Sequence, residues 1–218
     1  MPGLIVTDTH AHWIPPALAA LLRGRDEAPR IEAAPSGDGE VLVTYQGRRP
    51  FAGMLGDPAE RIAAMAGCGI AYQVLSLSSL FGVECLPAAE AEPLCAAFND
   101  NTAELLARHP DCFTALAVLP LAEPVRAAAE LGRAHAMGLR GAVLAADGFL
   151  TPEDAARLAP VLAAADRLGS HLFVHPGPVA LPPERMVRGS PGHETWQLST
   201  GCGYSSLLGF ENSPHWLE

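Results

Sequence analysis

Two histidines one residue apart, His10 and His12, follow a short apolar run at residues 4–7 that reads as a buried strand. In an extended chain residues i and i+2 share a face. Two neutral imidazoles placed this way can reach one metal ion at roughly 2.0–2.1 Å each. A third histidine, His175, ends another apolar run and is followed by Pro176-Gly177, which turns the chain. A lone His-x-His pair is more often structural than metal-binding. Its place at a strand end, with a third strand-end histidine, makes His10, His12 and His175 the candidate metal ligands. Trp13 follows directly and is a candidate wall for a flat, conjugated substrate, with ordinary packing as an equal alternative.

The elements that must position these residues follow from the apolar periodicity. Apolar runs at 70–77, 113–119, 140–144 and 171–175 are continuous rather than alternating, which predicts strands buried on both faces of a parallel sheet. Between them lie helical stretches at 57–65, 88–108, 124–137 and 151–168, several opened by Pro or Asp-Pro and closed by Gly. A short helix is expected at 16–22. Residues 24–56 read as an insertion, in which 30–34 and 41–46 flank Ser36-Gly37-Asp38-Gly39 as a hairpin. Strand, crossover helix and strand, repeated, is an α/β protein. Polar residues at several strand ends, His10, His12, Ser76, Ser78 and His175, suit the mouth of a barrel.

Composition narrows the chemistry. The 218 residues carry 14 basic and 24 acidic side chains, a net charge of −10. An acidic chain without a basic run is a poor partner for nucleic acid or an anionic membrane. Every basic residue among the 14 is Arg. Without lysine there is no Schiff base, no P-loop lysine and no carbamylated lysine bridging two metals. No glycine-rich phosphate loop follows a strand. Five cysteines, Cys68, Cys85, Cys95, Cys112 and Cys202, show no paired spacing, which predicts reduced thiols and a cytoplasmic protein. Cys68 and Cys95, on apolar helical segments, are expected to be buried. No apolar stretch is long enough to span a membrane, and no signal-peptide pattern opens the chain.

Asp8-Thr9-His10-Ala11-His12 resembles the first-strand metal motif of the amidohydrolase superfamily. More narrowly, the chain is similar to the amidohydrolase-related branch that includes aminocarboxymuconate-semialdehyde decarboxylase. The resemblance continues through Phe98-Asn99-Asp100-Asn101, Ala107-Arg108-His109-Pro110, residues 116–124, Gly138-Leu139-Arg140-Gly141 and Leu172-Phe173-Val174-His175-Pro176, and covers about residues 4–178. It implies a (β/α)8 TIM-barrel fold with one divalent metal, usually zinc, held by His10, His12 and His175. It also implies a small-molecule substrate and is compatible with a homodimer. The family's later catalytic His, in a His-Gly-Gly context, and its eighth-strand Asp have no match: His193 and His215 lie in other contexts, and no Asp follows Asp166.

These observations give a definite set of expectations. Such a barrel takes about 250 residues, with roughly 200 as a lower bound. Only 43 residues follow His175. All 38 alanines lie in residues 1–180. We therefore expect 1–180 to form the first five βα units of an incomplete barrel and 181–218 to be a divergent tail of a truncated chain. Three functions remain open. The first is a metal-dependent decarboxylase or hydrolase acting on a small carboxylated, conjugated or aromatic substrate. The second is an inactive fragment that keeps only three His ligands, and the third a small-ligand-binding α/β protein. Among lesser candidates, His109 and His135 fall at helix ends, where a cation favours the dipole. His171 starts a strand away from the usual active end. Asn99 reads as packing, and Asp147 lies in a loop that could touch substrate.

Overall fold

The computed structural model describes residues 6–35, 37–44, 47–51, 57–149 and 151–175. In chain order the elements are β1 (Val6–His12), α1 (Pro16–Arg23), β2 (Arg30–Ala33), β3 (Glu40–Thr44), β4 (Gly47–Phe51), α2 (Pro58–Gly67), β5 (Ile70–Ser76), α3 (Ala88–Arg108), β6 (Phe113–Ala115), α4 (Pro124–Ala136), β7 (Gly141–Ala145), α5 (Pro152–Arg157), α6 (Ala159–Leu168) and β8 (His171–His175). β1 pairs with β5, β5 with β6 and β7 with β8, all parallel. A parallel bridge between Ala117 and Ala142 joins the segment just after β6 to β7, where the Ala117 N–H donates to the Gly141 carbonyl at 2.8 Å. The five strands thus run in the order β1–β5–β6–β7–β8.

This sheet is curled. Neighbouring strands lie about 4.8 Å apart, so the first and fifth strands of a flat sheet would be roughly 19 Å apart. Here the ring of His10 on β1 stacks on Phe173 of β8 with centroids 5.1 Å apart. That closeness requires the curvature of a barrel wall. The α/β fold is of the TIM-barrel type, with five parallel strands among the described residues.

Local sequence explains most boundaries. The Asp57 carboxylate caps α2, accepting from the Ala59 and Glu60 amides at 2.7 and 3.2 Å, and Pro58 starts the helix. Gly141 is dictated by proximity: a Cβ there would lie 1.8 Å from the His171 carbonyl oxygen, so only glycine lets β8 approach β7. The core lies between the strands and the helices, with Trp13, Phe98, Phe113, Leu75, Leu105 and Leu131 at most 2% exposed. Asn99, also fully buried, accepts from the Val118 N–H and donates to the Val118 carbonyl, both at 3.0 Å, and donates to Glu130.

The structure departs from the sequence expectations in four places. The hairpin expected within the 24–56 insertion forms as β2 and β3, and β4 adds a third antiparallel strand to it. The third strand, Gly-Arg-Arg-Pro-Phe, lacks a strand-like apolar pattern, and its Pro50 is tolerated because β4 is an edge of the sheet among the described residues. The helix expected over 151–168 is two helices, α5 and α6, since Pro160 cannot donate the hydrogen bond that would continue the first. The strand expected over 113–119 is shorter, and beyond Ala115 the chain keeps only a single bridge to β7. Cys68 is exposed rather than buried, because it caps the C-terminus of α2, whereas Cys95 is buried. No helix among the described residues is long and apolar enough to cross a membrane.

Candidate metal centre

The direction of the first two histidines is set by a bulge. Asp8 pairs with Gln73 and Ala11 with Leu75, so three steps along β1 match two along β5. Beyond the bulge Ala11 lies beside Leu75, both buried, on the face covered by helices, while His12 pairs with Ser76 and faces the lumen with His10. His175 ends β8 and enters the same space. His10 stacks on His175 at 4.7 Å with planes 28° apart, and meets His12 edge-on at 4.7 Å and 84°. One nitrogen from each of the three imidazoles can be chosen so that all lie within 4.8 Å of one another.

The donor set fits a divalent ion. The His10 and His12 Nε2 atoms are 3.1 Å apart. Two nitrogens bound tetrahedrally at about 2.05 Å to one ion would be roughly 3.3 Å apart, so the pair needs little adjustment. Ligation needs neutral imidazoles. Burial lowers the proton affinity of His10 against the opposing pull of Asp8. Burial, then the positive fields of His10, His175 and Arg61, hold His12 down at about 4. The His175 Nδ1 lies 3.2 Å from the Ser79 hydroxyl. If Nε2 ligates, Nδ1–H donates to Ser79 Oγ, which fixes tautomer and ring orientation.

The predicted triad His10, His12 and His175 therefore converges. Trp13 does not join it: the indole is 2% exposed in the core, the Trp13 backbone N–H donates to the Ser76 carbonyl at 2.9 Å, and the Arg61 guanidinium lies 6.0 Å from the ring centre. Asn99 serves packing, as above. His109 caps α3, His135 lies 2.9 Å from the Ser170 hydroxyl, and His171 is exposed at the start of β8. The Asp147 side chain, His193, His215 and Cys202 lie outside the described residues, as does the 181–218 tail. Sequence reasoning missed Ser79 and Arg61. Ser79 follows β5 by three residues, where strand-end hydroxyls are a usable signal. Arg61 lies on a helix 49 residues from the carbonyl it touches, and no spacing rule reveals it.

A curled parallel α/β fold with three strand-end histidines defines a class, and the sequence assigns the chain within it. The profile of the amidohydrolase family matches residues 7–210, and the chain belongs to that family. The match runs past residue 178, where the motif resemblance ends. Solved structures are similar in fold. One is 5-carboxyvanillate decarboxylase from Novosphingobium aromaticivorans, complexed with manganese and 4-hydroxy-3-methoxy-5-nitrobenzoic acid. It is 21% identical, with a TM-score of 0.61 over 85% of this chain and 53% of that one. IDCase from Metarhizium anisopliae is 21% identical, with a TM-score of 0.69 over 89% and 55%. The 2,6-dihydroxybenzoate decarboxylase from Rhizobium is 24% identical, with a TM-score of 0.52 over 84% and 52%. The chain spans little more than half the length of these three.

Proposed function

We propose that this protein is a metal-dependent enzyme that decarboxylates a small carboxylated aromatic or conjugated acid, with hydrolysis of a related carbonyl compound as the second reading. The observation that carries it is the convergence of His10, His12 and His175. A divalent ion bound there would polarise a carboxylate or carbonyl oxygen and acidify water. The chain's own residues do the rest. His10 and His12 supply neutral donors from one strand, His175 supplies the third from across the lumen, and Ser79 orients it. Phe173, stacked on His10, gives the site an apolar flank that suits a planar acid.

The ion is zinc on the family resemblance or manganese on the neighbour's example, and three nitrogen donors accommodate either. Trp13 enters this reading as a wall beside the β1 ligands, tested by Trp13→Phe. A rise in KM with little change in metal affinity supports it, and an unchanged KM removes it. A reducing compartment is part of the reading, supported by four free thiols among the described residues.

Metal analysis of the purified chain is the first test. About one divalent ion per chain, lost in His10→Ala and in His175→Ala, supports the reading; no ion in the wild type overturns it. Carbon dioxide release from carboxylated phenols and muconate-like acids, run beside ester and amide hydrolysis, then separates lyase from hydrolase.

A further inference from the structure

The bulge in β1 carries a problem that the chain solves with three side chains. A regular strand would set Asp8, His10 and His12 on one face. The extra residue instead puts Asp8 beside Gln73 on the helix-covered side and leaves the two histidines facing the lumen. A bulge deprives local backbone groups of ladder partners, and buried backbone groups need substitutes. The His10 N–H donates to Asp8 Oδ1 at 3.1 Å. The other Asp8 oxygen accepts from Gln73 Nε2 at 2.9 Å. Gln73 Oε1 accepts from Arg61 Nη1 at 3.0 Å, and Arg61 Nη2 donates to the His12 carbonyl. The two ends of the ligand segment are thus joined through one closed circuit, His10 N–H, Asp8, Gln73, Arg61 and His12 C=O.

We propose that Arg61, Gln73 and Asp8 form a positioning clamp that holds the β1 bulge so that His10 and His12 aim at a common ion. Arg61 is its anchor. It comes from α2, a different element, and the planar fork of a guanidinium can serve two acceptors in fixed directions. The Trp13 ring beneath it limits its movement. The clamp rests on the metal reading above for its purpose, though not for its geometry.

The test uses the full chain with cobalt(II) as probe, followed by calorimetry and by the visible ligand-field spectrum. Arg61→Met keeps the aliphatic stem over Trp13 and removes the fork; Gln73→Leu breaks the circuit from inside the sheet. Each is expected to weaken cobalt binding about 10–100-fold and to shift the spectrum. Arg61→Lys, with its single ammonium, restores part of the affinity. Hydrogen exchange of residues 8–13 in the metal-free protein rises in Arg61→Met and in Gln73→Leu. Should Arg61→Met fail to fold, Gln73→Leu decides. Wild-type affinity and an unchanged spectrum in the folded variants overturn the clamp. If the wild-type chain binds no cobalt, the metal reading falls, and exchange alone decides: faster exchange of 8–13 supports the clamp, and unchanged exchange overturns it.

Discussion

At the scale of single residues, burial controls the proton affinity of both a candidate ligand and a remote acid. His12 in the fold binds a proton only near 4, whereas the unfolded chain does so near 6.5. The unfolded state therefore takes up protons first as pH falls. The His12 contribution to the stability of the metal-free chain should decline across that window by about 3 kcal/mol. Urea unfolding of the wild type and of His12→Asn from about pH 7 to about pH 4 measures it as the difference between the two curves. Glu84 shows the opposite sense. It is 5% exposed, its Oε2 has no hydrogen-bond partner among the described residues, and burial raises its proton affinity to about 7 from 4.5. Here the unfolded state releases its proton first, so the Glu84 contribution should fall as pH rises through that window, again by about 3 kcal/mol, and it offsets the His12 contribution in the wild type. Glu84→Gln removes the trend. Ser79→Ala should weaken metal binding about tenfold without changing the unfolding midpoint of the metal-free chain by more than about 1 kcal/mol.

At the scale of elements, the site depends on how closely strands and helices approach. Gly141→Ala forces a Cβ against the His171 carbonyl. Overpacking of this kind costs about 2–3 kcal/mol, and β8 must yield because the clash is with backbone. The expected result is a lower thermal midpoint together with weaker metal binding, since β8 carries His175. A variant that loses stability but keeps wild-type metal affinity would show that β8 is held independently of β7. Asn99 fastens α3 to the segment after β6. Asn99→Ala leaves the buried Val118 N–H and carbonyl without the side chain that satisfies them, at a cost of about 3 kcal/mol. That loss should appear in unfolding curves and leave His10, His12 and His175 ligation unchanged in the folded fraction.

At the scale of the whole molecule, the first and fifth strands meet only because the sheet curls. An ion shared between β1 and β8 therefore cross-links the two outer strands of the described sheet. It should stabilise the fold by mass action, about 2.7 kcal/mol when the free ion is at a hundred times its Kd. Thermal unfolding with and without manganese or zinc measures this, and His175→Ala should abolish the increment while His171→Ala, at the exposed start of the same strand, keeps it.

The sequence by itself determined the parallel α/β plan, because continuous apolar runs between capped helices admit few other packings. It also singled out the three histidines as candidates, since strand-end position and i, i+2 spacing are local properties. Trp13 shows what that reading leaves open: adjacency to His12 says nothing about depth, and the fold places the ring in the core beside Arg61. The β4 strand and the break at Pro160 were hidden because edge pairing and helix continuity depend on neighbours rather than on composition. Only the tertiary structure decided that β1 carries a bulge, that Asp8 leaves the histidine face, and that Arg61 and Ser79 contact the His12 carbonyl and the His175 ring. The physical reason is that those contacts are hydrogen bonds between elements distant in sequence, which exist only once the sheet has curled and the helices have packed against it.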